Sequence, residues 1–356
     1  MKKNQLIMGL VVLAALAILL VWGHDRIHFN FAVFRDQMAQ ADWRGLVIGL
    51  GCIYLGYAFR SVRWALLLRP NQKVPPFSLL GTQVMGFTAV ALIGRVADPV
   101  RPYLVARKTG LPLSLQIAVY IVERMFDLGS MALIFSVVLL TTQEPLPHPE
   151  LLLQVARGGL AATAAMAAFT VGVRLSGGLI ASLMERSLSL FSPRLGHAAG
   201  HKIRTFRAGL YTMRTLGDFA AAAALSLAMW GLITLSYLEI TRAFTASPPL
   251  AAMTLPRCMV LMAASMVASG FQLPILGWFT QIGLVAAAIS GLFGASPEAS
   301  TACAAALLLV TFLGIVPVGL VWAQFEHVSL RQVAVESGHA GGELAEEEAV
   351  SPSGTE

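Results

Sequence analysis

The chain has 356 residues, of which 56% are hydrophobic and only 12% charged, with a formal net charge of +6 and a mean hydropathy of +0.72. Soluble domains carry about 25% charged residues, so the composition excludes a soluble enzyme and points to a polytopic helical membrane protein. The basic residues sit beside apolar runs, as the positive-inside rule requires, which makes an anionic membrane surface the expected partner and not nucleic acid.

In chain order, Met1-Lys2-Lys3 precedes the apolar run Leu6 to Trp22, long enough to cross hydrocarbon. It ends without a small-residue cleavage site, so it reads as an uncleaved anchor with its N-terminus in the cytoplasm. Residues 23–43 form a mixed external segment, and Gly45 to Leu68 is the second span. Its last turns carry Arg60, Arg63 and Arg69, followed by Lys73. Such residues anchor a helix end at the cytoplasmic face; Arg60 and Arg63 serve either that end or a lipid headgroup.

Phe77 to Gly94 is apolar, yet a crossing there would deliver Arg95, Arg101, Arg107 and Lys108 to the outside. A re-entrant hairpin entering from the cytoplasm avoids this. Broken backbone at membrane depth is tolerated where it lines a protein-enclosed cavity, and Asp98-Pro99 and Arg101-Pro102 are expected to interrupt the helix. Leu113 to Leu140 is the next span, with Glu123, Arg124 and Asp127 in its first half. Glu123 and Asp127 share a face, and Arg124 can pair with Asp127. The loop 143–150 has no Lys or Arg, and Leu151 to Val173 returns inside.

Residues 174–217 hold seven basic residues against Glu185 in that stretch, read as an amphipathic cytoplasmic segment on an anionic leaflet or as a solvated loop. His197 and His201 are four apart without a third ligand nearby, so no metal is expected. Phe219 to Ala243 is a span. Thr254 to Gly294 is interrupted at Gly270-Phe-Gln-Leu-Pro-Ile-Leu-Gly277 and again by Gln281, which fits two short helices in a second re-entrant hairpin. Ala299 to Trp322 is the last span; residues 1–332 form the membrane domain and 333–356 an acidic disordered tail. Cys52, Cys258 and Cys303 lie far apart in apolar runs and read as small buried or lipid-facing residues. The fold class is therefore all-α, with about six to eight spans.

Leu92-Ile-Gly-Arg-Val-Ala-Asp98 and Ile275-Leu-Gly-Trp-Phe-Thr-Gln281 each place a polar residue four after a glycine. Three spans separate them, so the two broken elements belong to opposite faces, as in the inverted repeats of secondary transporters.

In this order Arg60-Ser-Val-Arg63-Trp64-Ala-Leu-Leu-Leu68, Gly94-Arg95-Val-Ala-Asp98-Pro-Val-Arg101, Glu123-Arg124-Met-Phe-Asp127 and Pro274-Ile-Leu-Gly277-Trp-Phe-Thr-Gln281 resemble the flippase-like membrane domain of lysylphosphatidylglycerol synthases and its stand-alone relatives. The resemblance covers roughly residues 40–325. It implies a multi-pass bacterial inner-membrane protein that binds or moves a lipid, and it leaves no place for the soluble aminoacyl transferase domain of the full-length relatives. The family usually has Gly-Glu where this chain has Ala97-Asp98, and Glu where it has Gln281. The second departure makes a symmetric pair of titrating carboxylates unexpected.

The leading expectation is a lipid transporter without cofactor or metal. Arg60, Arg63, Arg95, Asp98 and Arg101 would bind the headgroup, since guanidinium grips phosphate in a bidentate fork. Glu123, Arg124 and Asp127 would support the charge, and Pro274, Gly277 and Gln281 would form the second element. Alternatives are an intramembrane enzyme using Glu123 and Asp127, for which GxSxG, HExxH and P-loop signatures are missing, and a scaffold in which the arginines only mark the boundary.

Overall fold

Long apolar stretches can satisfy their backbone in hydrocarbon by coiling into helices. The computed structural model describes residues 29–94, 97–189, 215–270 and 277–329, together with 333 and 336; over these the chain forms helices and no strand. The expected first span 6–22, Arg95, Pro274, the histidine pair and most of the acidic tail lie outside the described residues.

A short helix α1 (Phe31–Ala39) precedes α2 (Trp43–Leu68), α3 (Pro76–Ile93), α4 (Val100–Thr109) and α5 (Leu113–Thr141). They are followed by α6 (Pro149–Ser189), α7 (Leu216–Arg242), the single turn α8 (Pro248–Ala251), α9 (Leu255–Gly270) and α10 (Gly277–Phe293). The last two are α11 (Pro297–Thr311) and α12 (Val316–Phe325), joined through a 3₁₀ turn at Leu313–Ile315. Six helical segments among the described residues are long and apolar enough to span a membrane, counting α11 and α12 as one.

The contacts establish the direction of each element. The indole of Trp64 donates to Gln116 Oε1 at 3.0 Å, while Arg60 reaches Asp127, so α2 and α5 are antiparallel. The end of α2 and the starts of α3 and α5 meet in one cluster of Leu67, Leu68, Leu79 and Val119. Between those starts, α3 runs inward and α4 returns along it: Ala89 and Val90 pack with Ala97 and Val100 near the tip, and Leu79 with Val105 at the base. This pair is a hairpin that enters and leaves at one end, the end carrying Arg69, Lys73, Arg107 and Lys108, called here the basic end. Helix α3 ends at Ile93 and α4 begins at Val100; Gly94, at φ 95°, takes a conformation that side chains disfavour. Arg101-Pro102 does not interrupt the helix, contrary to expectation, because Pro102 falls in the first turn of α4, where the missing N–H has no intrahelical acceptor.

The second half repeats this plan upside down. Helix α7 starts at the basic end, where Ser226 meets Arg63, and finishes at the far end, where Glu239 lies against Gly45. Small residues let α2 and α7 approach closely: a Cβ on Gly45 would fall 2.8 Å from the Glu239 carbonyl, and one on Gly49 2.8 Å from Ile240. The hairpin α9/α10 starts and ends at the far end, since Arg257 and Phe293 line one pocket with the 145–147 loop. The two tips meet where the Trp278 indole donates to the Ala91 carbonyl at 3.1 Å. Two hairpins inserted from opposite ends are the arrangement expected from the three intervening spans.

Two expectations gain detail. The last span is found at Pro297–Phe325, as expected, with a local tightening: Pro317 lacks an N–H and would crowd the carbonyl of Leu313, so the chain tightens at 313–315 before α12. The span expected at Leu151 to Val173 is matched at Pro149–Thr170, but the helix does not stop with it: α6 continues unbroken for 41 residues, about 62 Å at 1.5 Å per residue. The basic 174–217 segment thus begins as a continuation of α6; 190–214 lie outside the described residues. Cys52, Cys258 and Cys303 are free and buried.

Candidate functional site

Arginines on α2 at Arg60 and Arg63 lie on one helical face, three apart, and that face meets the face of α5 carrying Glu123 and Asp127. Arg63 forms two ion pairs at 2.7 Å, Nη1 with Asp127 Oδ1 and Nη2 with Glu123 Oε1, and Nη1 also donates to Ser226 Oγ at 2.6 Å. Arg60 Nη1 reaches Asp127 at 3.1 Å and Glu123 at 3.3 Å. From the first hairpin, Arg101 Nη2 donates to both Glu123 oxygens at 2.8 and 2.9 Å, and to Gln83 Oε1 at 2.9 Å. Arg124 Nη2 lies 3.2 Å from Asp127. Four guanidiniums therefore surround two carboxylates.

The packing that admits Arg101 is specific. Its guanidinium carbon lies 4.3 Å from the Phe87 ring centre, with Trp64 and Tyr120 at 5.4 and 5.5 Å, a setting in which aromatic faces offset part of the lost hydration. A Cβ on Gly86 would overlap the Arg101 side chain, so only glycine leaves room for the return helix. Charges taken out of water are costly unless paired. Here pairing is nearly complete, though Arg63 Nε, Arg101 Nη1 and Gln83 Nε2 remain buried without a hydrogen-bond partner.

Beside this network is a cavity of about 260 Å³ at the meeting point of the hairpins. Its charged lining residues are Arg60, Asp98 and Arg124; Tyr237, Ser265 and Gln281 are among its uncharged polar ones. Asp98 and Gln281, each four after the glycine of its hairpin, thus line one space. The Tyr237 hydroxyl and Ser265 Oγ lie 2.9 Å apart, and Phe312, at the break between α11 and α12, completes the lining with Phe87 and Trp230.

The expected site residues divide into two groups. Arg63 and Arg101 are at most 1% exposed and Glu123 is 1% exposed, so they are held inside the network. Arg60 belongs to both network and cavity, while the Arg124 side chain, expected only to support, is 36% exposed and lines the cavity. Gly277 begins α10 one residue before the Trp278 contact; Arg95 and Pro274 are outside the described residues. Sequence reasoning missed Gln83, Phe87, Ser226 and Trp230. Gln83, a lone amide within the apolar run 77–94, was the one with a visible signal. Among the described residues no group of His, Cys, Asp and Glu could hold a metal ion.

Comparison with known proteins gives one match. The family model described as "Lysylphosphatidylglycerol synthase TM region" matches residues 6–319, most of the chain. No curated protein matches, and no solved structure matches.

Proposed function

We propose a function from one premise: the chain belongs to the lysylphosphatidylglycerol synthase TM region family, a membership that ties this multi-pass membrane protein to membrane lipid. On our reading it is a flippase-like lipid transporter. The headgroup would enter the cavity where the two hairpins meet, touching Arg60, Asp98, Arg124 and Gln281, while the apolar tails stay in the bilayer. The observation that carries this reading is the placement of a largely apolar cavity bearing Arg60, Asp98, Arg124 and Gln281 between two hairpins inserted from opposite ends, the layout in which small rocking motions expose one site alternately to each side. The cavity's volume suits a headgroup and not a whole lipid.

A carrier is favoured over an enzyme because Glu123 and Asp127 already accept from arginines. A carboxylate held by several guanidiniums is a poor general base, since the pairing favours its ionised form and leaves few lone pairs free. By the positive-inside rule the basic end faces the cytoplasm of a bacterial inner membrane, as would the N-terminus, with the basic segment 174–217 resting on the anionic leaflet.

The test is movement of labelled lipid across vesicles containing the purified protein. Wild type should accelerate it; Asp98→Asn, which leaves the buried network intact, and Arg124→Gln, which removes the network's most exposed guanidinium, should each abolish most of the acceleration at unchanged insertion. Wild-type vesicles no faster than empty ones would sink the transporter reading.

A further inference from the structure

Helix α4 is built as a lever. It has ten residues, Val100 to Thr109, and a glycine marks each of its joints: Gly94, where α3 ends, at φ 95°, and Gly110, where α4 ends, at φ 70°, conformations that glycine adopts at little cost. Residues at the ends of elements absorb the dihedral change when an element swings. The inner face of α4 is held by Arg101 in the charge network and by Val105 among Trp64, Leu67 and Val119. Its outer face meets α12 and the segment that follows it.

Helix α12 is itself fixed to α3: a Cβ on Gly81 would overlap the Trp322 indole, and one on Gly319 would overlap Thr88. At its end the chain turns at His327, φ 51°, where the Val328 N–H donates to the Ala323 carbonyl at 2.8 Å. Around this turn the segment meets α4 at three levels. At the base, Glu326 pairs with Lys108 at 2.6 Å and accepts from the Trp322 indole at 3.2 Å. Nearer the tip, Val333 is 2% exposed and packs in one cluster with Val100, Leu104 and Ala97, the neighbour of Asp98. Beside it, the Tyr103 hydroxyl donates to Glu336 at 2.9 Å.

We infer that 326–336 is a strap: through Glu326, Val333 and Glu336 it holds α4 against α12, and so sets how readily α4, with Asp98 at its head, swings between its glycine joints. The two attachments of α4 differ in kind. The inner pairs are buried, and breaking one strands a charge. In the outer pair the Lys108 and Glu326 side chains are 31% and 28% exposed, a setting in which ion pairs are weak and screened by salt. Release of α4 therefore starts on the strap side. The strap stands on these contacts alone; its effect on lipid movement rests on the transporter reading.

Hydrogen exchange of the full chain in detergent micelles tests the strap. Val333→Asp puts a carboxylate into the apolar seat and should speed amide exchange in α4 about tenfold. Lys108→Glu sets like charges together and should speed it about threefold. Combining Lys108→Glu with Glu326→Lys restores an attraction and should return exchange to within about twofold of wild type. Helices α2 and α7 should keep their wild-type exchange in all three. Glu144→Gln, which removes the charge paired with Arg257 at 2.7 Å at the base of the second hairpin, should leave α4 unchanged. Unaltered α4 exchange in both single variants overturns the strap, as does a charge swap that rescues nothing, or an equal rise in α2 and α7, which marks a general loss of fold. In vesicles, Val333→Asp should move lipid several-fold faster than wild type; movement unchanged or slowed with α4 loosened overturns the strap's part in transport. If α4 loosens as stated but wild type moves no lipid, the transporter reading fails and the strap stands. If wild type moves lipid and α4 exchange is unaltered in both variants, transport stands and the strap fails.

Discussion

The hairpins α3/α4 and α9/α10 share a plan, each entering and leaving at one end and meeting its counterpart at one cavity, but they are held by different forces. The first is tied to α5 through Arg101 and Glu123, and through Glu123 to Arg63 of α2, with Gln83 of α3 accepting from Arg101 inside the hairpin, a directional network in a low-dielectric setting. The second rests on apolar packing of Met262, Val285 and Ile289 against α11 residues such as Cys303 and Leu307; near the cavity it offers the Ser265 hydroxyl to Tyr237. The difference teaches that one repeat can carry the electrostatics of a site and the other its adaptable wall. A symmetric backbone does not require symmetric chemistry.

The strongest test of that division removes the anion at its centre. Glu123 accepts from Arg60, Arg63 and Arg101, so Glu123→Ala leaves buried cations facing one another. A cost of about 3–5 kcal/mol is expected, read as a large fall in melting temperature of the detergent-solubilised protein. The neutral half should tolerate its nearest equivalent: Ser265→Ala should cost only about 1 kcal/mol. Equal losses would mean that the charge network does not hold the first half.

A smaller effect is expected at Gly86→Ala. The added methyl would collide with Arg101, and the collision cannot be relieved without moving α4, so about 1–3 kcal/mol should be lost. Gly231, which has open space around its Cα, is the matched control; its alanine variant should be neutral or slightly stabilising, because alanine favours helix by up to about 1 kcal/mol.

These two positions also show what could be read from sequence. The ends of α3 at Ile93 and of α9 at Gly270 were legible because proline and glycine leave a mark that helix-forming residues cannot hide, and the count of spans between them placed the hairpins at opposite ends. The four-residue offset that paired Asp98 with Gln281 holds in space, since both line the cavity. What could not be read was which way each arginine faces. Periodicity puts Arg101 on a helix but does not say that Gly86 leaves a slot for it or that Glu123 lies across that slot. For the same reason Arg124 could be grouped with its neighbours Glu123 and Asp127, although consecutive residues on a helix face different directions. Ser226 and Trp230 carried no signal, being ordinary residues of a span whose partners are distant in sequence. The break before Pro317 was not read, because the apolar pattern continues on both sides of it.

Gln281→Glu sharpens the comparison from the other side by giving the second hairpin the carboxylate that the first has in Asp98. It adds a negative charge to the cavity, so affinity for an anionic headgroup should fall about tenfold, roughly 1.4 kcal/mol, with little change in melting temperature. Tighter binding of the anionic lipid in that variant would show that the headgroup's charge does not sit near Gln281.

The smallest effect belongs to the contact that joins the two halves. Trp278→Phe removes the hydrogen bond from the second tip to the Ala91 carbonyl and keeps an aromatic ring in place, at a cost of about 0.5–1.5 kcal/mol. If the tips must part for a headgroup to pass, that loss falls mainly on the closed arrangement. The variant should then move lipid several-fold faster in the vesicle assay while binding it no more tightly. In a two-state equilibrium, destabilising one state shifts the populations without any new contact to the ligand. A slower variant would instead show that Trp278 contributes to the open arrangement, and that the tip contact is part of the lipid's path and not its barrier.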